Sequence, residues 1–268
     1  MASVLGSVYF YKNVKRAEER ALLDIENLKA EMPPLPDPGS DLFDEAVDLL
    51  REEEFEAARS KAFYILKYYE DSSRYIDAKR IIGEMNLDRL LSSDPMEGKI
   101  DYTVRRGDSL ALIASRNQST VSYIMRSNNL TSTRIHPGEE LLVSTLDFTV
   151  VLHLEDRHLT LTRDDQFFKE YDIERVRLPR GASPPFSTSI SDKLAYLGER
   201  RIPIADSRFQ ATEKWLHTKV PGLVLGAFSE ENLSVEEASM YVGVDLAGPD
   251  LEELFTILRV STPVKVLP

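Results

Sequence analysis

The chain has 268 residues, 42% of them hydrophobic, and a formal net charge of −12. That length accommodates two or three small domains with sizeable cores. The acidic balance, with no basic stripe carrying interleaved aromatics, argues against nucleic acid as a partner, because phosphate backbones are held by clustered Lys and Arg. The absence of cysteine removes disulfides, thiolate metal sites and thiol nucleophiles together, and leaves the compartment open.

Ala2 to Phe10 is uncharged, and Lys12, Lys15 and Arg16 follow it. This run is far shorter than the roughly 20 residues that a spanning helix needs, and its charges come after the apolar stretch, the reverse of a secretory signal. Two readings stand: the tail of a longer membrane anchor, or the apolar start of a soluble helix. A membrane enters only through the first. Val14 to Met32 reads as a helix rich in Ala, Glu, Leu and Lys. The run Met32-Pro33-Pro34-Leu35-Pro36-Asp37-Pro38-Gly39 ends it, since proline lacks the N–H and restricts the residue before it. Residues 1–39 are therefore read as an N-terminal helix and linker.

Residues 40–91 read as helical. Leu42, Ala46, Leu49 and Leu50 recur at helical spacing, as do Phe55, Ala58, Ala62, Ile65 and Leu66. Ser72 and Ser73 precede a third run with Ile76, Ile81 and Ile82. The fragment Phe55-Glu56-Ala57-Ala58, after a leucine-rich helix, resembles a tetratricopeptide-type hairpin over about one and a half repeats. Glu70 stands where that family has proline. The resemblance implies a docking face for a protein partner; a small bundle that spaces the next domain is the structural alternative. Ser92 to Gly98 is a second linker by composition.

Tyr102-Thr103-Val104 is a short strand, and Gly107 begins a turn. Asp108 or Ser109 then stands where a helix N-cap belongs. Leu110, Ile113 and Ala114 give a first short helix its apolar face, and Val121, Ile124 and Met125 a second. Asn128-Asn129-Leu130 closes that helix, and Ile135-His136-Pro137-Gly138 turns into a last strand, Leu141 to Val143. This order and spacing resembles the LysM family, a βααβ module, over residues 100–145. The resemblance implies binding of peptidoglycan or another N-acetylglucosamine-containing glycan in a shallow groove between two loops. Carried over by position, the groove residues are Gly107, Asp108, Ser109, Leu110, Ile135, His136, Pro137 and Gly138, with His136 where tyrosine is common. Asn128 and Asn129 either line the groove or cap the helix; Leu110, Ile113, Leu130 and Leu141 also read as core.

Residues 147–268 read as mostly β. Phe148 to Leu154 and His158 to Thr162 form a hairpin, Phe167 to Ile173 follows, and Leu223 to Ala227 is a buried strand. Asp250 to Leu258 is an amphipathic helix before the strand Ser261 to Val266. The opening hairpin and the closing Thr262-Pro263-Val264 strand resemble the L,D-transpeptidase catalytic domain, which uses a histidine-activated cysteine. That signature is expected shortly before Asp250, where the chain reads Tyr241-Val242-Gly243-Val244-Asp245. The last histidine is His217, so a serine in the nucleophile's place has no base after it. The resemblance thus implies a degenerate domain with no catalytic residues.

Three further groups invite a chemical reading. His153 and His158 flank a turn as metal ligands or as solvent-facing strand residues. Asp250, Glu252 and Glu253 form a carboxylate cluster or simply suit a helix N-terminus. Trp215 with His217 stacks a sugar, or Trp215 packs in the core. The expected class is α+β multidomain: a helical segment, a LysM module and a transpeptidase-like domain. No cofactor or metal is expected. The expected role is a non-catalytic, extracytoplasmic bacterial cell-envelope protein that binds peptidoglycan through the LysM module, with the transpeptidase-like domain as a pseudoenzyme that binds wall peptide or an envelope protein partner. An envelope adaptor working through the helical hairpin, and an enzyme with a non-cysteine nucleophile, are the alternatives.

Overall fold

The computed structural model describes residues 22, 36–93, 96–227 and 242–268. The expected anchor run Ala2–Phe10, the helix Val14–Met32 apart from helical Leu22, and Asp94, Pro95 and Tyr241 lie outside the described residues.

The first described element begins inside the stretch assigned to the linker. Helix α1, Pro38–Arg51, is capped by Asp37, whose side chain accepts from the Ser40 N–H at 3.2 Å. Pro38 is tolerated there because a first-turn N–H has no partner in the helix anyway. The Asp37 carboxylate also accepts from the Ser73 N–H at 2.9 Å and the Ser73 hydroxyl at 2.8 Å, tying the start of α1 to a distant turn. Those bonds from Ser73 hold its carboxyl down at about 2. Helices α2, Phe55–Tyr68, and α3, Tyr75–Leu91, follow. Phe43, Ala62, Ile65, Ala78 and Ile82 form the bundle's buried centre, and the small alanines let the helix axes approach. Two expected core positions are corrected: Phe55 and Ile76 are 56% and 53% exposed, because each opens its helix where no third layer covers it.

Strand β1, Lys99–Thr103, pairs antiparallel with β2, Glu140–Ser144. Between them lie α4, Leu110–Arg116, and α5, Val121–Ser127. This is the βααβ order. Leu110, Ile113, Ala114, Tyr123, Ile124, Leu141 and Val143 are buried; Leu130, expected in the core, is only half-buried.

The rest is one curved sheet. Its strands are β3 (Phe148–His153), β4 (His158–Arg163), β5 (Gln166–Arg177), β6 (Phe186–Leu197), β7 (Arg200–Arg201), β8 (Glu213–Thr218), β9 (Val224–Gly226), β10 (Gly243–Leu246) and β11 (Pro263–Leu267). The order β3-β4-β5-β10-β9-β8-β6 is closed by β11, which pairs with both β6 and β3. Closure removes open edges. Two neighbours run parallel, β11 with β3 and β10 with β9. Helix α6, Gly248–Ile257, lies against β8 and β9 and buries Leu251, Leu254 and Phe255. Four strands, β6, β7, β8 and β10, were not legible in the sequence.

The LysM-like module and the barrel are packed into one continuous hydrophobic cluster that also takes in Leu87 and Leu90 of α3. Polar contacts fix the joints. Asn86 donates to the Phe168 carbonyl at 2.7 Å, and Tyr123 donates to the Leu90 carbonyl at 2.9 Å. Thr120 donates to the Thr256 carbonyl, and Arg259 to the Leu146 carbonyl at 2.7 Å. No described helix is long and apolar enough to cross a membrane.

Candidate glycan-binding site

The eight residues singled out in the sequence fall on two loops, one before α4 and one before β2. Backbone bonds lock these loops together: the Val104 N–H donates to the Glu139 carbonyl, and the Gly138 N–H to the Val104 carbonyl, both at 2.8 Å. Gly107 (φ +88°) and Gly138 (φ +93°) sit in the left-handed region that favours glycine. Open space surrounds the position a Cβ would take at each. Gly107, Ser109, His136, Pro137 and Gly138 are exposed, and Ile135 is half-buried.

Two of the eight turn their side chains away from solvent. Leu110 is 2% exposed and belongs to the core. The Asp108 side chain is 4% exposed. It accepts from the Arg105 N–H at 2.8 Å, the Tyr102 hydroxyl at 2.8 Å and Arg116 at 3.1 Å. The bonds from Arg105 and Tyr102 hold its carboxyl below the usual carboxylate range. Asp108 thus staples the loop, and Ser109 makes the cap by accepting from the Leu112 N–H at 3.2 Å. That cap contributes about 1 kcal/mol.

His136 stands out from the surface with its Nδ1 2.8 Å from Glu139. The hydrogen bond from His136 lowers the Glu139 carboxyl. Asn128 caps and clamps at once: it donates to the Ile124 and Leu142 carbonyls, both at 2.8 Å, and accepts from the Leu142 N–H at 2.7 Å. Asn129 takes φ +53° in the turn beyond. Neither amide of Asn128 is left for a ligand; the choice between groove and cap resolves to a tie between α5 and β2.

The other chemical candidates dissolve into packing. His153 and His158 are cross-strand partners, stacked at 4.3 Å and half-buried rather than solvent-facing. Burial, then the neighbouring His158, lowers the His153 imidazole. Among the described residues, no group of three or more His, Asp or Glu could hold a metal ion. Glu253 pairs with Lys169 at 2.8 Å and Glu252 with Lys214 at 2.7 Å, so these acids dock α6 onto β5 and β8. Burial raises the Asp250 carboxyl. The core assignment of Trp215 is corrected. Strand alternation turns Lys214, Leu216 and Thr218 inward and leaves Trp215 and His217 half-buried on the other face. At the position where the resemblance places a nucleophile, Val244 is fully buried. Its neighbour Asp245, 1% exposed, is ion-paired to Arg175 at 2.9 Å.

Nothing in the sequence pattern marks a cleft between α4–α5 and the barrel. Its walls come from segments far apart in the chain, among them Ser119, Lys193, Phe209 and Phe255. Only the alternation along β6 could have marked Lys193 as unusual. Burial pushes its ammonium down to about 7.

Residues 102–144 match the LysM domain family, and this segment is a LysM domain. Over 43 residues the chain is 56% identical to N-acetylmuramoyl-L-alanine amidase sle1 of Staphylococcus haemolyticus (strain JCSC1435). It is 54% identical to the protein of that name in Staphylococcus aureus (strain USA300). The match spans 16% of this chain and only 13% of the length of each relative. Among solved structures, L,D-transpeptidase (Yku) from Stackebrandtia nassauensis is similar over 46% of this chain and 56% of its own. Its TM-score is 0.33 and its identity 17%. Mycobacterium tuberculosis L,D-transpeptidase 1 is similar over 48% of this chain and 66% of its own, with TM-score 0.31 and 12% identity.

Proposed function

We propose that this protein holds peptidoglycan, or another N-acetylglucosamine-containing glycan, at the paired loops of its LysM domain in a bacterial cell envelope. The observation that carries this reading is the locking of the two loops by the Val104–Glu139 and Gly138–Val104 bonds. It leaves the backbone edge at Gly107 and Gly138 uncovered, with open space where a side chain would stand. N-acetyl groups carry one amide donor and one acceptor, which a rigid backbone edge can pair at little ordering cost. The amidase relatives, named for a bond in the cell wall, support the same location. In this reading Asp108 and Leu110 build the loop, and Gly107, Ser109, Ile135, His136, Pro137 and Gly138 meet the sugar.

In the same reading the barrel is a non-catalytic binding surface. The chain has no cysteine, and the buried Asp245–Arg175 pair offers no exposed nucleophile. Retention on purified peptidoglycan tests the first part. The wild type is expected to sediment with the glycan, and the double variant Ser109→Ala, Gly138→Val to stay in solution while remaining folded. Equal retention of both contradicts the reading. Incubation with muropeptides followed by mass spectrometry tests the second part, and any new cross-link contradicts it.

One observation favours a second reading, an adaptor working through the helical bundle. Tyr64 and Tyr68, one turn apart on α2, are 48% and 56% exposed, with their rings 4.5 Å apart. Paired exposed tyrosines are enriched where proteins dock. Loss of an envelope partner on Tyr64→Ser, Tyr68→Ser, with glycan retention intact, would support the adaptor role.

A further inference from the structure

A sizeable recess lies away from the glycan loops. A cleft of about 780 Å³ opens between α4–α5 of the LysM domain and the barrel. That is within the roughly 300–1,000 Å³ typical of small-ligand sites. Three cations from separate segments line it: Lys193 on β6, Arg201 on β7, and Arg259 just after α6. No carboxylate lines it among the described residues. The acids that neighbour these cations stand outside the lining, Asp192 at 3.9 Å from Arg201 and Asp147 at 3.6 Å from Arg259.

The cations have donors to spare. Lys193 gives two N–H groups to the Phe255 and Leu258 carbonyls, the second at 2.7 Å, and an ammonium has three. Arg201 is 63% exposed at the side chain and, among the described residues, makes a single long ion pair, to Asp192. The opposite wall adds Ser119, 8% exposed, whose hydroxyl has no hydrogen-bond partner among the described residues. A buried polar group left so costs about 1–3 kcal/mol, which a ligand acceptor or donor would relieve. Phe209 and Phe255 supply apolar wall between the charges.

The cleft continues into a second recess of about 450 Å³ through Phe209 and Phe255, which line both. Asp206 and Glu252 appear there, each already ion-paired, with Arg208 at 2.6 Å and Lys214 at 2.7 Å. A fatty acid would leave the polar wall unpaired. A short peptide suits the whole lining: its carboxylate the cations, its amides the hydroxyls, and its apolar side chains the phenyl rings.

We propose that this groove binds a short peptide by its free C-terminal carboxylate, held by Arg201, Lys193 and Arg259 at the joint of the two domains. This rests on the reading of the barrel as a non-catalytic binding surface and gives that surface a location and a ligand class. It is independent of glycan binding at the loops.

Calorimetric titration of the full chain with trialanine, and with trialanine blocked as its C-terminal amide, tests it. The free acid is expected to bind saturably and the amide to bind about tenfold or more weakly, the size of a lost charge-assisted hydrogen bond. Arg201→Gln, at an exposed site that the fold does not need, is expected to weaken the acid and leave the amide unchanged. Ser119→Ala is expected to weaken both. Equal affinities for acid and amide, no saturable binding of the acid, or an acid affinity untouched by Arg201→Gln would each overturn the proposal. Mass spectrometry of the recovered peptide separates the two readings. Intact peptide agrees with both, whereas cleaved or ligated peptide overturns the non-catalytic reading and leaves the carboxylate preference to be judged on the affinities.

Discussion

The LysM domain and the barrel that follows it share one hydrophobic cluster, yet they are assembled in opposite ways. In the LysM domain almost every structural instruction is local. Ser109 caps the helix that begins at the next residue, Thr120 does the same for α5, and Asp108 closes its turn on Arg105 three residues back. The barrel depends on pairs that meet from far apart. Strand β11 inserts between β3 and β6 although it begins more than a hundred residues after β3, and β10 is placed between β5 and β9. A module of local signals tolerates change around it; a closed sheet does not. In the proposed reading, recognition of the glycan falls to short stiff loops, and the barrel is the frame against which they are held.

If the two units truly share a core, a cavity in one must weaken both. Ile113 is fully buried within the common cluster, so Ile113→Ala is expected to cost about 2–5 kcal/mol. Urea unfolding followed by both far-UV dichroism and Trp215 fluorescence is expected to show one shifted transition. Trp215 lies in the barrel, so a barrel signal that does not move would break the comparison. Thr120→Ala is next in size. It removes the α5 cap, where Thr120 accepts from the Tyr123 N–H at 2.9 Å, and the link to the Thr256 carbonyl. A loss of about 1–2 kcal/mol is expected by the same unfolding assay.

Ser109→Ala sharpens the contrast, because its cap serves only the LysM domain. About 1 kcal/mol is expected, with amide hydrogen exchange accelerated in α4 and unchanged in β3 to β5. The smallest effect is pH-dependent. The Asp108 carboxyl is held below its ordinary 3.8, chiefly by the Arg105 N–H. A carboxylate with a depressed folded pKa stabilises above its unfolded value and loses that contribution as pH falls through the folded one. The wild type is therefore expected to outlast Asp108→Asn in urea at pH 6, and the gap to close as the pH drops below 3.8. A gap that persists undiminished in acid would assign the role of Asp108 to packing alone.

The same division explains what was legible in the sequence. The βααβ order and the positions of Gly107, Ser109 and Gly138 could be read because turns, caps and left-handed glycines are set by neighbours in the chain. The hairpin β3–β4 and helix α6 were legible for that reason too. Strands β6, β8 and β10 were not, since β6 and β10 pair with the distant β11 and β5, and β8 turns a lysine, Lys214, inward where an apolar residue is expected. Phe55 and Ile76 misled because helical periodicity marks an apolar face without saying whether anything covers it. Asp108 was named for the glycan but is consumed by Tyr102, Arg105 and Arg116, and only Arg105 is close enough in sequence to hint at it.

The central claim is that the locked loops of the LysM domain, and not the barrel or the helices, meet the glycan. Amide chemical-shift mapping of the full chain during titration with a chito-oligosaccharide tests it most directly. The account predicts saturable shifts at Gly107, Ser109, His136 and Gly138, with the barrel strands β3 to β5 silent. Shifts centred on the barrel or on α2, or no saturable shifts at all, would contradict it.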